Sequence, residues 1–564
     1  MLVKDKVKGN YSVYVDEGFG LTIDDFQVDI GDREASFVKS WSLSSSTKTY
    51  TGNTIDDLLD TLHKIKSDYS LKQYSKGKKD ILIIYTNKFW ELSCYLYNHI
   101  SNVFTFYYQI MNTIEFRACW DKSKETSQDI ASWADYIIKN LFIPDEYYYL
   151  TPAQVARKRI SASCKKYGDT LAKDIFPATD SRYRYIKKSL FGGACYCPYP
   201  GRQFTEPMME IDINSAYIYC FMLKHCVTPG KFVNTEHWQS YLNSPTKATI
   251  GGYKITYSSW SSIIKCYKNA NGEHCKPTTD GPVTDTFVFT NIDLDIFLST
   301  VNVISIECVS LLEYDMDYLP KSVLDVVVNS YIEKEEAKKT GSKEERALKK
   351  IAVNSIYGNT IRDLKTRDEW KAEMKKACLS PQWGIFITSY CKSLLIGLGS
   401  NLDGWVYSDT DSIFCFDTPK NRAIIAQYNK DISDRLKAIC DKLGYDFNKM
   451  PRLGTFEEEC RIVKFKALKQ KQYMFTDDKG QITVKASGCN RKNVENNDDV
   501  YSLDRIPVGE KVVRKSRILH PVEAVVDGIR YYQETSYENQ IFKDFDAEIM
   551  TLLVNELFGI EKPY

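Results

Sequence analysis

The stretch WVYSDTDSIFCF, residues 405–416, decides how the rest of the chain is read. Apolar residues flank a short polar centre, which predicts strand, tight turn, strand. The turn carries two carboxylates, Asp409 and Asp411, with no cation beside them in sequence. Oxygen ligands held in the open suit a hard cation such as Mg²⁺. An ordinary acidic turn would have the same pattern, and so would a calcium loop, although helices rather than strands flank an EF-hand. By itself the motif does not separate these readings.

Three further segments bear on the choice. In DINSAY (212–217), Asp212 ends the apolar run MMEID and a helix is predicted just after it. A carboxylate there, with the backbone carbonyl of Ile213 beside it, is a metal platform; taken alone it is also an ordinary helix N-terminal Asp. In KKIAVNSIYG (349–358), at about 100° per residue, Arg346, Lys350 and Tyr357 fall within roughly 40° of one another. Two cations and a ring on one face can grip a triphosphate and stack on a base, a stack of about 1–3 kcal/mol. A solvated Lys/Glu helix is the plainer reading. Residues 461–475 hold five basic residues, Arg461, Lys464, Lys466, Lys469 and Lys471, and no acidic one, ending in Lys471-Gln472-Tyr473. This is the clearest local strip for phosphates. Together the parts make a reaction: carboxylates hold two metal ions about 3.5–4 Å apart, one activating a primer 3′ hydroxyl and one neutralising pyrophosphate. Catalysis then needs positioning and electrostatics, with no covalent protein intermediate.

The order D-x-N-S-x-Y, K-x-x-x-N-S-x-Y-G, Y-x-D-T-D-S, K-x-Y resembles family B DNA polymerases. The compact length, the loop Phe191-Gly192-Gly193-Ala194 and the run Val484-Lys485-Ala486-Ser487-Gly488 resemble the protein-primed branch of small tailed bacteriophages and linear plasmids. The resemblance covers about residues 150–490. It implies an α/β multidomain right-hand polymerase (palm, fingers, thumb) with an N-terminal exonuclease-like α/β domain. It implies Asp212 and Asp411 as metal ligands with the Ile213 carbonyl, and Asp409 as a weaker third carboxylate. Tyr217 would pack under the incoming sugar and exclude a 2′ hydroxyl. Lys350, Asn354 and Arg346 would contact the deoxynucleoside triphosphate and Tyr357 would line its base pocket. Lys471 and Tyr473 would hold the primer terminus, and Phe191, Gly192 and Gly193 would meet the template strand. The cofactor would be two Mg²⁺ ions, with Mn²⁺ as substitute. The partners would be DNA template-primer and a terminal protein primer, in replication of a viral or plasmid genome.

Departures are informative. Motif A usually reads S-L-Y-P; here Ser215-Ala216-Tyr217-Ile218 stands in its place. The N-terminal motifs of a proofreading exonuclease match loosely: Tyr14-Val15-Asp16-Glu17, Asn87-Lys88-Phe89-Trp90-Glu91, and Tyr136-Ile137-Ile138-Lys139-Asn140 with Asn where Asp belongs. An amide is a poor hard-cation ligand, so proofreading is expected to be lost. The competing reading is a nuclease or non-catalytic nucleic-acid-binding protein derived from a polymerase. Ribonucleotide or RNA-templated synthesis is disfavoured by Tyr217 and by Thr410 standing between the two Asp residues.

The bulk numbers are compatible. The chain of 564 residues is 43% hydrophobic with net charge +1, so a polyanion site must come from local clustering. Residues 1–60 are acidic, with eleven Asp/Glu against six Lys/Arg. Sixteen scattered cysteines show no paired CxxC, which argues against zinc and for a reduced compartment. No apolar run of about 18 residues predicts a membrane span, and the N-terminus lacks a secretion signal. The expectation is an intracellular protein, in the host cytoplasm if a bacteriophage is the source. The expected domains are 1–150 exonuclease-like; 151–205 connecting segment; 206–325 palm with a terminal-protein-type insertion; 326–360 fingers; 361–385 short second insertion; 386–490 palm; 491–564 thumb and C-terminal region. Helices are expected at 90–100, 127–143, about 319–339, 342–358 and 384–400, with a final helix near the end.

Overall fold

The computed structural model describes residues 12–486 except 16, 31–32, 73–78, 89–91, 93–112, 120, 122, 141–151, 170–180, 260, 279–280, 342 and 362–379, together with the backbone of 513–526 and 529–540. The chain divides into two compact units: 1–150 with 514–538, and 151–513 with 539–564.

The first unit is a sheet covered by helices. Its elements are β1 (Ser12–Tyr14), β2 (Phe19–Ile30), β3 (Arg33–Ser44), β4 (Thr49–Gly52), α1 (Ile55–Asp68), β5 (Lys79–Thr86), β6 (Ile114–Ala118) and α2 (Ser127–Asn140). β1 and β2 pair parallel with successive stretches of β5, so they act as one interrupted strand. β3 and β4 extend that edge antiparallel, and β6 pairs parallel on the far side of β5. α1 starts where Thr54 accepts from the Asp57 N–H at 3.1 Å. It buries Ile55, Leu58, Leu62 and Ile65, the three-and-four spacing of an amphipathic helix. The helix predicted from 127 is present; the helix expected at 90–100 lies almost wholly outside the described residues.

The second unit carries two sheets. Its first half contains α3 (Pro152–Tyr167), α4 (Ser181–Lys187), β7 (Ala194–Tyr196), β8 (Gln203–Phe204), β9 (Met208–Ile213), α5 (Ala216–Met222), β10 (Lys224–Cys226), β11 (Lys231–Phe232), β12 (Lys247–Ser258), β13 (Val283–Thr290), α6 (Asn291–Thr300) and β14 (Asn302–Tyr318). The second half contains α7 (Lys321–Thr340), α8 (Lys343–Thr360), α9 (Pro381–Gly399), β15 (Tyr407–Thr410), β16 (Ser412–Phe416), α10 (Pro419–Leu443), β17 (Phe456–Lys469), β18 (Gln472–Asp477) and β19 (Ile482–Ala486). The larger sheet runs β19-β18-β17-β9-β16-β15-β7, with β8 on β17. The smaller runs β10-β14-β12-β13, with β11 on β14. A separate hairpin, β20 (Val513–Val526) and β21 (Ile529–Gln540), lies almost wholly in the stretch 514–538 that groups with the first unit; the final helix expected near the C-terminus lies outside the described residues.

Alternation in β9 sets the centre. Met209, Ile211 and Ile213 enter the main core, while Glu210 and Asp212 stay half-buried on the other face. α9 is apolar almost all round and is buried along nearly its whole length, as a helix with no polar face must be. Among the described helices, α1, α6 and α10 escaped the sequence reading. α6 was hidden in a β-rich stretch, though Thr290-x-x-Asp293 is a capping signature. α10 has Thr418 as N-cap, Pro419 at its start and Gly444 in the left-handed conformation at its end. Those stop signals were legible.

Candidate active site

The turn joining β15 to β16 is tight. Asp409 pairs with Ser412, and the Asp411 N–H donates to the Asp409 carbonyl at 2.8 Å across a single residue. That residue, Thr410, has φ 66°. A β-branched residue in this region is strained by roughly 1–2 kcal/mol, so the surroundings must hold it. The Cys391 thiol donates to the Thr410 carbonyl at 3.7 Å. Gly193 packs so closely that a Cβ there would lie 2.6 Å from Thr410 Cγ2. Gly193 is thus needed for the shape of the carboxylate turn, whatever else it touches.

β9 runs antiparallel beside β16, with Asp212 opposite Ser412. The Ile213 N–H donates to the Asp411 carbonyl at 3.0 Å. In an antiparallel ladder a residue's N–H and C=O point the same way, so the Ile213 carbonyl faces the Asp411 turn. Asp212 on β9 and Asp411 in the turn leading into β16 therefore meet although 199 positions separate them (411 − 212). Burial, and then the charge of Asp411, holds the Asp212 carboxyl well above the usual carboxylate range; Glu459 and Glu210 push the same way. Burial and then Asp409 raise Asp411, opposed by Lys350 and Lys471. Among the described residues no side chain donates a hydrogen bond to either group.

Asp409 is different. It accepts from Lys471 Nζ at 2.7 Å, from Thr410 Oγ1 at 3.0 Å and from the Cys195 thiol at 3.3 Å. The family resemblance implied Asp409 as a weaker third carboxylate; the structure pairs it with Lys471 and leaves Asp212 and Asp411 in mutual repulsion. Among the described residues no group of three or more His, Cys, Asp or Glu is placed to hold a metal ion. The oxygen donors brought together here are two carboxylates and a backbone carbonyl. That hard-oxygen donor set, with two like charges forced together, suits a divalent cation.

The remaining predicted residues are distributed as follows. Lys350 is exposed and its charge reaches both carboxylates. Asn354 is exposed on the same helix. Tyr357 stacks on Tyr217, with ring centroids 4.2 Å apart and planes at 32°. Arg346 Nε donates to the Ala337 and Gly341 carbonyls at 3.2 Å each, which ties it to the end of α7. Lys471 stands at φ 60° in the β17–β18 turn, where its N–H donates to the Tyr407 hydroxyl at 2.8 Å. Tyr473 is 8% exposed, and its ring packs among Tyr407, Phe414 and Phe465. Phe191 also turns inward, against Tyr267 and Phe289 and 4.7 Å from Lys392 Nζ. Tyr473 was expected at the primer terminus and Phe191 at the template strand; as placed, each ring packs against other aromatic side chains. Gly192, at φ 77°, is open to solvent on its Cβ side.

Sequence reading missed several supports. Lys392 and Asp293, each with a side chain 1% exposed, form an ion pair of 2.7 Å under Phe191. Gln470 Nε2 donates to the Cys195 carbonyl at 2.6 Å, and Trp405 Nε1 to Ser408 Oγ at 2.8 Å. No local pattern marks the Lys392–Asp293 and Gln470–Cys195 contacts, because their partners lie far apart in sequence.

In the first unit, Glu17 accepts from the hydroxyls of Tyr69, Ser46 and Thr47. Burial raises its pKa, but these hydrogen bonds prevail and hold the carboxyl below its usual range. Asp16, Glu91 and the side chain of Asn140 lie outside the described residues. No helix among the described residues is long and apolar enough to cross a membrane.

Over residues 58–370 the sequence matches the family of DNA polymerases of type B, organellar and viral. No curated protein matches the chain at a significant level. The fold resembles Phi29 DNA polymerase complexed with primer-template DNA, with TM-score 0.56 and 14% identity over 93% of this chain and 99% of that one. It also resembles the same enzyme complexed with primer-template DNA and incoming nucleotide substrates, with TM-score 0.54 and 14% identity over 92% and 99%.

Proposed function

The chain belongs to the organellar and viral type B DNA polymerases and is a DNA-directed DNA polymerase, and we propose that Asp212 and Asp411 are the carboxylates on which its reaction rests. The observation that carries this is their juxtaposition: two half-buried carboxylates, one on β9 and one in the turn entering the adjacent β16, each raised, neither neutralised by a side-chain contact among the described residues. The family uses a divalent metal cofactor. Here Asp212, Asp411 and the Ile213 carbonyl would hold it, as two Mg²⁺ ions with Mn²⁺ as substitute. When bound, the ions supply activation of the primer hydroxyl and neutralisation of the pyrophosphate leaving group.

The protein's own groups do the positioning. Lys350, near both carboxylates yet exposed, is free to grip the triphosphate of the incoming deoxynucleotide, with Asn354 beside it. Arg346 would have to leave the end of α7 to join them. Tyr217, backed by Tyr357, forms the floor under the sugar and leaves no room for a 2′ hydroxyl. Lys471, paired with Asp409, and the turn it caps would steady the primer terminus. Tyr473 acts beneath that turn through its packing. Gly192 and Gly193 lie at the template side; β7 to β9, β15 to β19 form the palm, α7 and α8 the fingers, and the sheet of β10 to β14 the insertion suited to a terminal protein. Protein priming, in replication of a viral or plasmid genome inside a host cell, is the setting this arrangement supports.

The N-terminal unit would be an exonuclease-like scaffold without proofreading. Glu17, already saturated by hydroxyls, is a poor metal ligand. The test offers labelled primer with a 3′ mismatch and Mg²⁺ but no nucleotides; metal-dependent shortening that vanishes in Asp16→Ala/Glu91→Ala would overturn this reading. For the polymerase site, extension of a matched primer should disappear in Asp411→Asn. A labelled deoxynucleotide transferred to a candidate terminal protein would establish the primer.

A further inference from the structure

We propose that Lys334 is a positioning residue: from α7 it holds Ser215 in the left-handed conformation and so sets the geometry of Asp212 and Tyr217. The proposal rests on the reading of those two residues as metal ligand and sugar floor.

Ser215 joins β9 to α5 and stands at φ 51°, ψ 52°, without a side-chain cap of its own. Its neighbour is fixed on both sides of the peptide. The Asn214 N–H donates to the Thr455 carbonyl and its carbonyl accepts from the Gly454 N–H, both at 2.9 Å. The Asn214 side chain donates to Glu457 Oε1 at 3.0 Å, and its amide oxygen accepts from the Tyr331 hydroxyl at 3.3 Å. Ser215 therefore absorbs the change of direction between strand and helix alone. A serine there is strained, because its Cβ crowds the following carbonyl.

Lys334 offsets that strain. Its Nζ donates to Ser215 Oγ at 2.6 Å. The ammonium is itself held, 3.2 Å from Glu335 Oε1 and 5.5 Å from the centre of the Tyr331 ring. With a side chain 19% exposed, it is screened from competing water. Two residues beyond Ser215, Tyr217 meets Tyr357 of α8. α7 and α8 are successive helices, so one helical pair grips the segment 212–217 at two points: Lys334 on Ser215 and Tyr357 on Tyr217. If Ser215 relaxed to a right-handed conformation, α5 would leave β9 on another course and Tyr217 would come off Tyr357.

Glycine adopts the left-handed conformation without strain, and this makes the idea testable. Single-nucleotide incorporation is measured for a deoxynucleotide and its ribonucleotide in wild type, Lys334→Met, Lys334→Arg, Tyr217→Val, and Lys334→Met combined with Ser215→Gly, with thermal melting to check folding. Lys334→Met is expected to lower kcat/KM for the deoxynucleotide by about five- to tenfold, the scale of a left-handed residue's strain. The deoxy/ribo ratio should fall in the same direction as in Tyr217→Val. Lys334→Arg should recover part of the loss, and adding Ser215→Gly should recover most of it. Lys334→Met behaving as wild type would overturn the proposal. So would an equal deficit with and without Ser215→Gly, since Lys334 would then act through its charge. If Tyr217→Val leaves the ratio unchanged, the sugar-floor reading fails. The deoxynucleotide efficiencies with and without Ser215→Gly still decide the role of Lys334.

Discussion

Two sets of carboxylates in this chain have opposite fates. Asp212 and Asp411 are pressed together in the second unit, half-buried, with no donating side chain among the described residues. Glu17, in the first unit, is wrapped by three hydroxyls. An acidic residue signals a cation site only when the fold withholds its ordinary partners. A satisfied carboxylate is structure; a frustrated pair is a seat for charge. Asp409 shows the difference within one turn, since Lys471 already neutralises it.

The largest effect that can break this contrast is loss of activity. Asp212→Asn or Asp411→Asn should lower the rate of single-nucleotide extension by about 10³-fold or more, as removal of a group made for the transition state does. Glu17→Gln should stay within about twofold of wild type. Equal losses would erase the distinction. Asp409→Asn sharpens it. Its charge is already paired, so a drop of only about 10- to 100-fold is expected in the same assay, arising from release of Lys471 and the turn.

Metal dependence should follow pH. Asp212 and Asp411 both lie above the usual range, and a metal bound by them, as proposed, must displace their protons. As pH falls toward and below their raised values, the Mg²⁺ concentration for half-maximal extension should rise, by up to about tenfold per pH unit for each proton displaced. A titration unchanged between mildly acidic and alkaline buffer would contradict the shared burial and repulsion.

The smallest effects are in stability, with opposite signs. Asp212 and Asp411 hold protons more tightly folded than unfolded, so the metal-free protein loses stability as pH rises above the ordinary carboxylate range. Asp212→Asn should raise the metal-free melting temperature at alkaline pH by a few degrees, for about 1–2 kcal/mol of relieved repulsion. Glu17 is lowered, so its contribution is present above the ordinary value of 4.5 and lost as pH falls through the depressed one. Glu17→Gln should lower the melting temperature of the first unit slightly, by about 1 kcal/mol or less for a part-exposed group. Calorimetry with chelator reads both.

Much of this was open in the sequence. Strand, turn and strand at 405–416 follow from apolar flanks around a polar centre, and α7, α8 and α9 lie within a few residues of where periodicity predicts them. The ordered motifs named the family. The N-terminal mismatch was legible too, as an Asn in place of an Asp. α6 and α10 show the limit of habit rather than of information, since their capping residues were visible.

What the sequence determined by itself is chemical type and local form: which residues can ligate, grip or stack, and whether the backbone near them is strand or helix. Those depend on side-chain character and on short-range periodicity. Only the tertiary structure decided which carboxylates stand unpaired, that Phe191 and Tyr473 point inward, and that Ser215 and Thr410 sit in strained turns. Each of those depends on partners across long sequence separations: Lys471 on Asp409, Gly193 against Thr410, Lys334 on Ser215. Electrostatic fate is a property of neighbours in space, and strain survives only where distant packing imposes it.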